Sequence, residues 1–226
     1  MKIFTKEGIP GIFIKRINRF VALVKVDDEE TWAHVPNTGR MKELLVYGSL
    51  VLLEEHQKNH RKTKYTLKLV KYRNQWVCID AIMTNKIAYE YLNGKYLGIL
   101  KPEVNFLSSR FDFALITDTK QFFIEVKSVN LVRNGIAYFP DAPTLRGRRH
   151  LIELQSCMEM GYGAIVIFIV QREDARTFMP YIEMDEKFTN ELIQAYIKGM
   201  KIIVLRCKVD KVEITIEDEI DYILQP

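Results

Sequence analysis

Side chains able to do chemistry gather in one stretch, 109–129, SRFDFALITDTKQFFIEVKSV. Residues 110–117 are rich in Phe, Leu and Ile, Asp118-Thr119 supply turn formers, and 121–129 resume the apolar run. The stretch therefore reads as two antiparallel strands joined by a tight turn. With the turn centred between Asp118 and Thr119, Asp112 lies directly across from Glu125. Side chains alternate along a strand, so Lys127 shares a face with Glu125 while Phe122, Ile124 and Val126 point the other way. Apolar residues on both faces mark the second strand as central. Two carboxylates opposed at ~5 Å repel one another, and burying charge without partners is costly. A divalent cation between them would answer both problems, with Lys127 placed to orient or deprotonate a water. The plainer alternative is a cross-strand ion cluster in which Lys127 neutralises the two acids.

The elements around this hairpin fall into two groups. From Gly11 to Asp80 the pattern is all strand, about five short strands, and it suits a small closed barrel of the OB type. A loop between the third and fourth strands, Pro36-Asn37-Thr38-Gly39-Arg40-Met41, presents Arg40 among turn formers and could grip a phosphate or a nucleotide-like small molecule. It could equally be a packed inter-strand turn. A second loop, 55–64, is polar and basic, and Lys62 and Lys64 are its candidates for facing a nucleic-acid backbone, with Tyr65 beside them. Its two histidines, His56 and His60, have ligand spacing only for a helix, and the composition argues for a loop.

Composition shifts near Ile82, which divides the chain into a barrel over 1–82 and an α/β domain over 83–226. Thr84 can cap a helix over 85–93 that Gly94 stops, with Ile87 and Tyr91 on its apolar face and Glu90 at the border. After the hairpin, Gly135, Pro140 and Pro143 interrupt regular structure. A helix then runs over 144–160, with Thr144 as cap and Gly161 as stop. Its first turns carry Arg146, Arg148, Arg149 and His150, although cations at a helix N-terminus oppose the dipole. An anion resolves the conflict, and a phosphate backbone is the natural one; Gly147 among them would allow close approach. A buried strand (164–170, AIVIFIV) ends on Gln171-Arg172, and Gln171 there could reach an active site. Another helix and strand follow, so the second domain is α/β around a mixed sheet.

The chain has 226 residues, 48% hydrophobic and 27% charged, which is enough for a core. Its net charge is +4, and the positive excess lies in the first 82 residues, pointing to phosphate-bearing partners. No apolar run reaches the length of a signal peptide or membrane span. Three scattered cysteines make neither a disulfide framework nor a zinc pattern, so the expected address is the reducing cytoplasm.

Asp112 followed thirteen positions later by Glu125-x-Lys127 resembles the PD-(D/E)xK nuclease superfamily. In several of its members a helix acid joins the metal site, and Glu90 is the candidate here. HVPNTGRM (34–41), SRFDF (109–113), EVKSV (125–129), FPDAPTLRGRRHLIEL (139–154) and FIVQRED (168–174) together resemble the sugar fermentation stimulation protein family, over nearly the whole chain. That resemblance implies an OB-type barrel joined to a PD-(D/E)xK nuclease-like domain, with DNA as partner. It also implies Asp112, Glu125 and Lys127 as the site triad, with Arg110, Arg146 and His150 at surrounding motif positions. On the first reading, Asp112, Glu125 and the Val126 carbonyl hold Mg2+ or Mn2+ for phosphodiester hydrolysis. On the second, the protein binds DNA as a regulator without cutting it. On the third, the Asn37–Arg40 loop binds a nucleotide-like small molecule.

Overall fold

Asp27 and Asp28 both adopt positive φ (48° and 67°), the backbone a two-residue hairpin turn requires and that short polar side chains tolerate. In the computed structural model, which describes residues 1–57 and 62–224, that turn joins β2 (Val21–Val26) to β3 (Glu29–His34) behind β1 (Ile9–Asn18). β4 (Leu50–Glu55), β5 (Tyr65–Tyr72) and β6 (Gln75–Cys78) complete the set. The order is β3-β2-β1-β4-β5-β6, and a parallel pairing of Ala33 with Tyr65 joins β3 to β5 and closes the barrel. Phe13, Val24, Ala33, Leu53, Leu67 and Val77 fill it. This is the OB-type barrel expected from the strand spacing. In the 55–64 loop, residues 58–61, His60 included, lie outside the described residues. Lys62 is exposed, and Lys64 pairs with Glu55 at 2.9 Å.

The chain leaves the barrel through α1 (Ile82–Lys95). The helix starts earlier than Thr84 because the Asp80 carboxylate accepts the Ile82 N–H at 3.0 Å. Thr84 instead donates back to the Ala81 carbonyl from within the first turn. Gly94 does not stop the helix, which runs on to Lys95 with Tyr96 as its C-cap. Next come β7 (Ile99–Phe106), β8 (Ser109–Ile116), β9 (Gln121–Val129), β10 (Leu131–Arg133), β11 (Ile136–Phe139) and α2 (Leu145–Glu159). Then follow β12 (Gly163–Val170), β13 (Thr177–Pro180), α3 (Glu186–Ile197), β14 (Lys201–Val209), β15 (Ile214–Glu219) and β16 (Asp221–Tyr222). The main sheet has the order β15-β14-β12-β9-β8-β7 and is mixed, with β9, β12 and β14 parallel. β9 is internal, as its two apolar faces require. Ile165, Ile167 and Ile169 of β12 face α1, while Val166 and Phe168 face Leu151 and Leu154 of α2 and Phe188 of α3.

The first residues do not join the barrel. Ile3 donates its N–H to Val212, and Ile3 and Phe4 enter the core beneath α1, where Leu52, Leu69 and Cys78 of the barrel also pack. One apolar cluster thus spans both domains.

Candidate active site

The ladder between β8 and β9 pairs Ile116 with Gln121, Leu115 with Phe122, Ala114 with Phe123 and Phe113 with Ile124. The next pair in that register would be Asp112 and Glu125, and there the strands part. The Asp112 side chain substitutes for the missing backbone partner: Oδ2 accepts the Val126 N–H at 2.8 Å, and Oδ1 accepts Asn85 Nδ2 from α1 at 2.8 Å. β9 stays paired to β12 through Val129, so Glu125 is held rigidly while the hairpin opens beside it. Lys127 Nζ lies 2.5 Å from Glu125 Oε1. His150, buried on α2 with its ring 6.2 Å from that of Phe111, bonds the same oxygen through Nδ1.

The two acids are pushed in opposite directions. Burial raises the Asp112 carboxyl above its ordinary range, and the charge on Glu125 adds to the effect, against the opposing Val126 N–H, Asn85 and Lys127. Burial also pushes Glu125 up, but Lys127 and His150 outweigh it and hold that carboxyl below its usual value. Glu125 Oε2 is buried and has no hydrogen-bond partner, an arrangement that costs free energy unless a cation sits against it. Two carboxylates with the main-chain carbonyl at Val126 would make an all-oxygen donor set, the kind that suits Mg2+, Mn2+ or Ca2+ rather than zinc. Among the described residues no three His, Cys, Asp or Glu gather as metal ligands, so backbone and water would complete the shell.

Residues 79–213 match the family model described as "Sugar fermentation stimulation protein RE domain", and residues 14–79 match "SfsA N-terminal OB domain". The chain belongs to the sugar fermentation stimulation protein family. A homologue of that name from Acetivibrio thermocellus is 48% identical over 211 residues, covering 90% of this chain and 91% of its own. One from Clostridium beijerinckii is 42% identical and covers 96% and 97%. The solved structure of Pyrococcus furiosus SfsA, described as a complex with Ca2+, superposes with a TM-score of 0.85 at 29% identity, covering 98% of this chain and 99% of that one.

Within this family frame the other expected residues scatter. Glu90 is exposed on α1 and lines the same cleft as Asp112, but Asn85, a residue without a sequence signal, is the one that touches Asp112. Gln171 is fully buried. It donates to the Asp80 carbonyl at 3.0 Å and accepts from Ser128 Oγ at 2.7 Å, tying the barrel exit to β9. Arg110 is exposed, 3.8 Å from Glu103. The α2 cations do not form one patch. Arg146 is exposed one turn before His150 and on its face. Arg148 and Arg149 turn to a groove shared with Lys187 of α3, and Arg148 Nε stands 3.8 Å from Asp185. His150, expected at a phosphate backbone, is buried against Glu125 instead, where it fixes the carboxylate. The close approach at Gly147 is internal: a Cβ there would lie 2.8 Å from Thr144, whose hydroxyl caps the helix.

The Asn37–Arg40 loop is both packed and presented. Arg16 donates to the carbonyls of Asn37 and Arg19 at 2.7 Å and to those of Gly39 and Arg40. Asn37 Nδ2 reaches Asn130 across the domain joint at 2.8 Å, and Asp141 accepts the Met41 N–H at 3.1 Å. Two of the sequence blocks that carry the family resemblance, 34–41 and 139–154, thus dock on one another, leaving Arg40 exposed.

Proposed function

We infer that the protein binds DNA and hydrolyses its phosphodiester bonds with a divalent metal held at Asp112, Glu125 and the Val126 carbonyl. The observation that carries this reading is the parted hairpin, in which a rigid ionised carboxylate keeps one oxygen buried and unpartnered beside a second acid and a lysine. Asp112 and Glu125 would hold Mg2+ or Mn2+; the description of the Pyrococcus furiosus relative as a Ca2+ complex supports a hard, oxygen-preferring site. Such a metal, when bound, polarises the scissile phosphate and makes water a better nucleophile. Lys127 positions that water and offsets charge developing on the phosphate oxygens. His150 fixes the orientation of Glu125 from the opposite side. Water attacks phosphorus and releases a proton to solvent, the P–O ester bond breaks, and the leaving oxygen takes a proton from solvent. Arg146 and Arg40, both exposed, seat the backbone. Three buried thiols without disulfides support action in the reducing cytoplasm.

A cleavage assay tests this. Labelled single-stranded, duplex and branched DNA are incubated with Mg2+ or Mn2+, using wild type and Lys127→Ala side by side. Cleavage by wild type that the variant loses is the expected result. Binding without cleavage on every substrate would refute hydrolysis and leave a DNA-binding protein that does not cut.

A further inference from the structure

A cleft of about 950 Å³ runs between the barrel and the second domain. Its lining includes Arg16, Arg19, Phe20, Arg40 and Lys42, with Asp141 the single acid among the described lining residues. Two of these charges are already engaged: Arg16 on loop carbonyls, and Asp141 on the Met41 N–H beside Gly39. Arg19, Arg40 and Lys42 remain exposed, and among the described residues none forms a salt bridge. The cleft therefore carries a net positive charge over a scaffold fixed by hydrogen bonds.

Aromatic surface lies on the same side. Phe20 is 51% exposed, and its carbonyl accepts the Val35 N–H at 2.8 Å, which pins it beside the loop. Trp32, 57% exposed, shares the outer face of β3 with His34, and His34 also lines the cleft. Ala81 and Ile82 form a wall common to this cleft and the one that holds Asp112, and Ser128, next to Lys127, opens into it. That wall brings this cleft up to the one that Asp112 lines.

We propose that this cleft carries a single, unpaired strand of DNA to the triad, with backbone phosphates on Arg19, Arg40 and Lys42 and bases stacked on Phe20 and Trp32. Cations alone would suit any polyanion. The exposed rings select the unpaired form, because a stacking platform needs a base face that a duplex keeps covered. Phosphate contacts carry no sequence information, so the strand is taken without regard to sequence. The inference deepens the nuclease reading by naming its substrate as single-stranded DNA or an unpaired end, and it rests on that reading only for what happens after binding.

The test measures binding in chelator, with no metal and no cleavage. Fluorescence anisotropy compares a labelled oligo(dT) strand with a duplex of equal length, on the full chain. Wild type should prefer the single strand. The Phe20→Ala, Trp32→Ala double variant should bind it at least about tenfold more weakly, within the range for loss of stacking aromatics, with duplex affinity unchanged. Replacing Arg19, Arg40 and Lys42 together by Gln should flatten the slope of log K against log salt by about 2, from about 0.7 per single-strand phosphate contact. Undiminished oligo(dT) binding by the aromatic variant, or equal loss on both substrates, overturns the proposal. A protein that binds oligo(dT) through these residues yet cuts nothing overturns only the nuclease reading.

Discussion

Neutralising the two site acids should move stability in opposite directions. Burial and the Glu125 charge hold the Asp112 carboxyl above the ordinary range. Asp112→Asn keeps an oxygen for the Val126 N–H and an amide for Asn85, whose own amide can turn to accept it, while removing the charge. Without metal, its melting temperature should rise. Glu125 is the reverse case, since Lys127 and His150 hold it below its usual value despite burial. Glu125→Gln leaves Lys127, with a side chain 11% exposed, and buried His150 facing a neutral amide. Breaking a buried pair costs about 3–5 kcal/mol, and the remaining amide oxygen puts this case near the lower end, about 3. For a chain of this size 1 kcal/mol is worth about 2–4 °C, so the midpoint should fall by about 6–12 °C. Metal at a hundredfold excess over Kd stabilises the folded state by about 2.7 kcal/mol, or about 5–11 °C, and both variants should lose that increment. The pH dependence has matching signs. A raised carboxyl costs stability as pH rises through its folded value, so metal-free wild type should gain from Asp112 on mild acidification. The lowered Glu125 gives stability above its unfolded value and loses it as pH falls further. Scanning calorimetry in chelator and in Mn2+ reads all of this. A midpoint that falls for both variants in chelator, or a Mn2+ response kept by Asp112→Asn, would refute the reasoning.

Other outcomes follow from single contacts. Arg172 is fully buried, bonds Asp174 through two nitrogens at 2.7 and 2.8 Å and stacks 4.7 Å from the Tyr72 ring. Asp174→Ala should therefore cost about 2–3 kcal/mol by thermal unfolding, discounted from the fully buried case because Asp174 is a third exposed. Gly147→Ala should cost about 1–3 kcal/mol, since the added methyl meets the Thr144 cap and Phe188; a neutral result would show that the cap can shift. If the α2–α3 groove holds duplex backbone, replacing Arg148 and Arg149 by Ala should flatten the salt slope of duplex binding by up to about 2. An unaltered slope would place the duplex contacts elsewhere, with the barrel the next surface to probe.

The sequence made the barrel and the hairpin legible because both are local. Two aspartates at the β2–β3 turn and an apolar run around Asp118-Thr119 fix strand pairing within a few residues, and the register follows. What was not legible depends on residues distant in sequence. Asn85 meets Asp112 only because Asp80 starts α1 early, and nothing near Asn85 marks it. β7 carries Pro102 and a Glu103 at positive φ and lies at the sheet edge, so it lacks the apolar alternation that betrays a strand. His150 reads as a surface cation beside three arginines. Its burial follows from helix phase, which turns it toward Phe111 and Glu125 while Arg149 turns away.

The same contrast explains the role of the loop at 34–41. A basic loop with Asn, Thr and Gly has the composition of a ligand grip, yet most of its hydrogen-bonding capacity is used internally. Arg16 holds its carbonyls, Asn37 bridges to Asn130, and Gly39 leaves room for the Asp141 carboxylate, which a Cβ would meet at 2.7 Å. Asn130 in turn takes Ser128 Oγ at 3.2 Å and passes its carbonyl to Arg172 at 2.8 Å. The network therefore runs from the loop to the residue adjoining Lys127. A loop bound in this way cannot mould itself to a ligand; it can only present what is left over, the Arg40 side chain, at a fixed distance from β9. Fixed presentation suits a repeating ligand such as a phosphate backbone, where one cation must meet one phosphate.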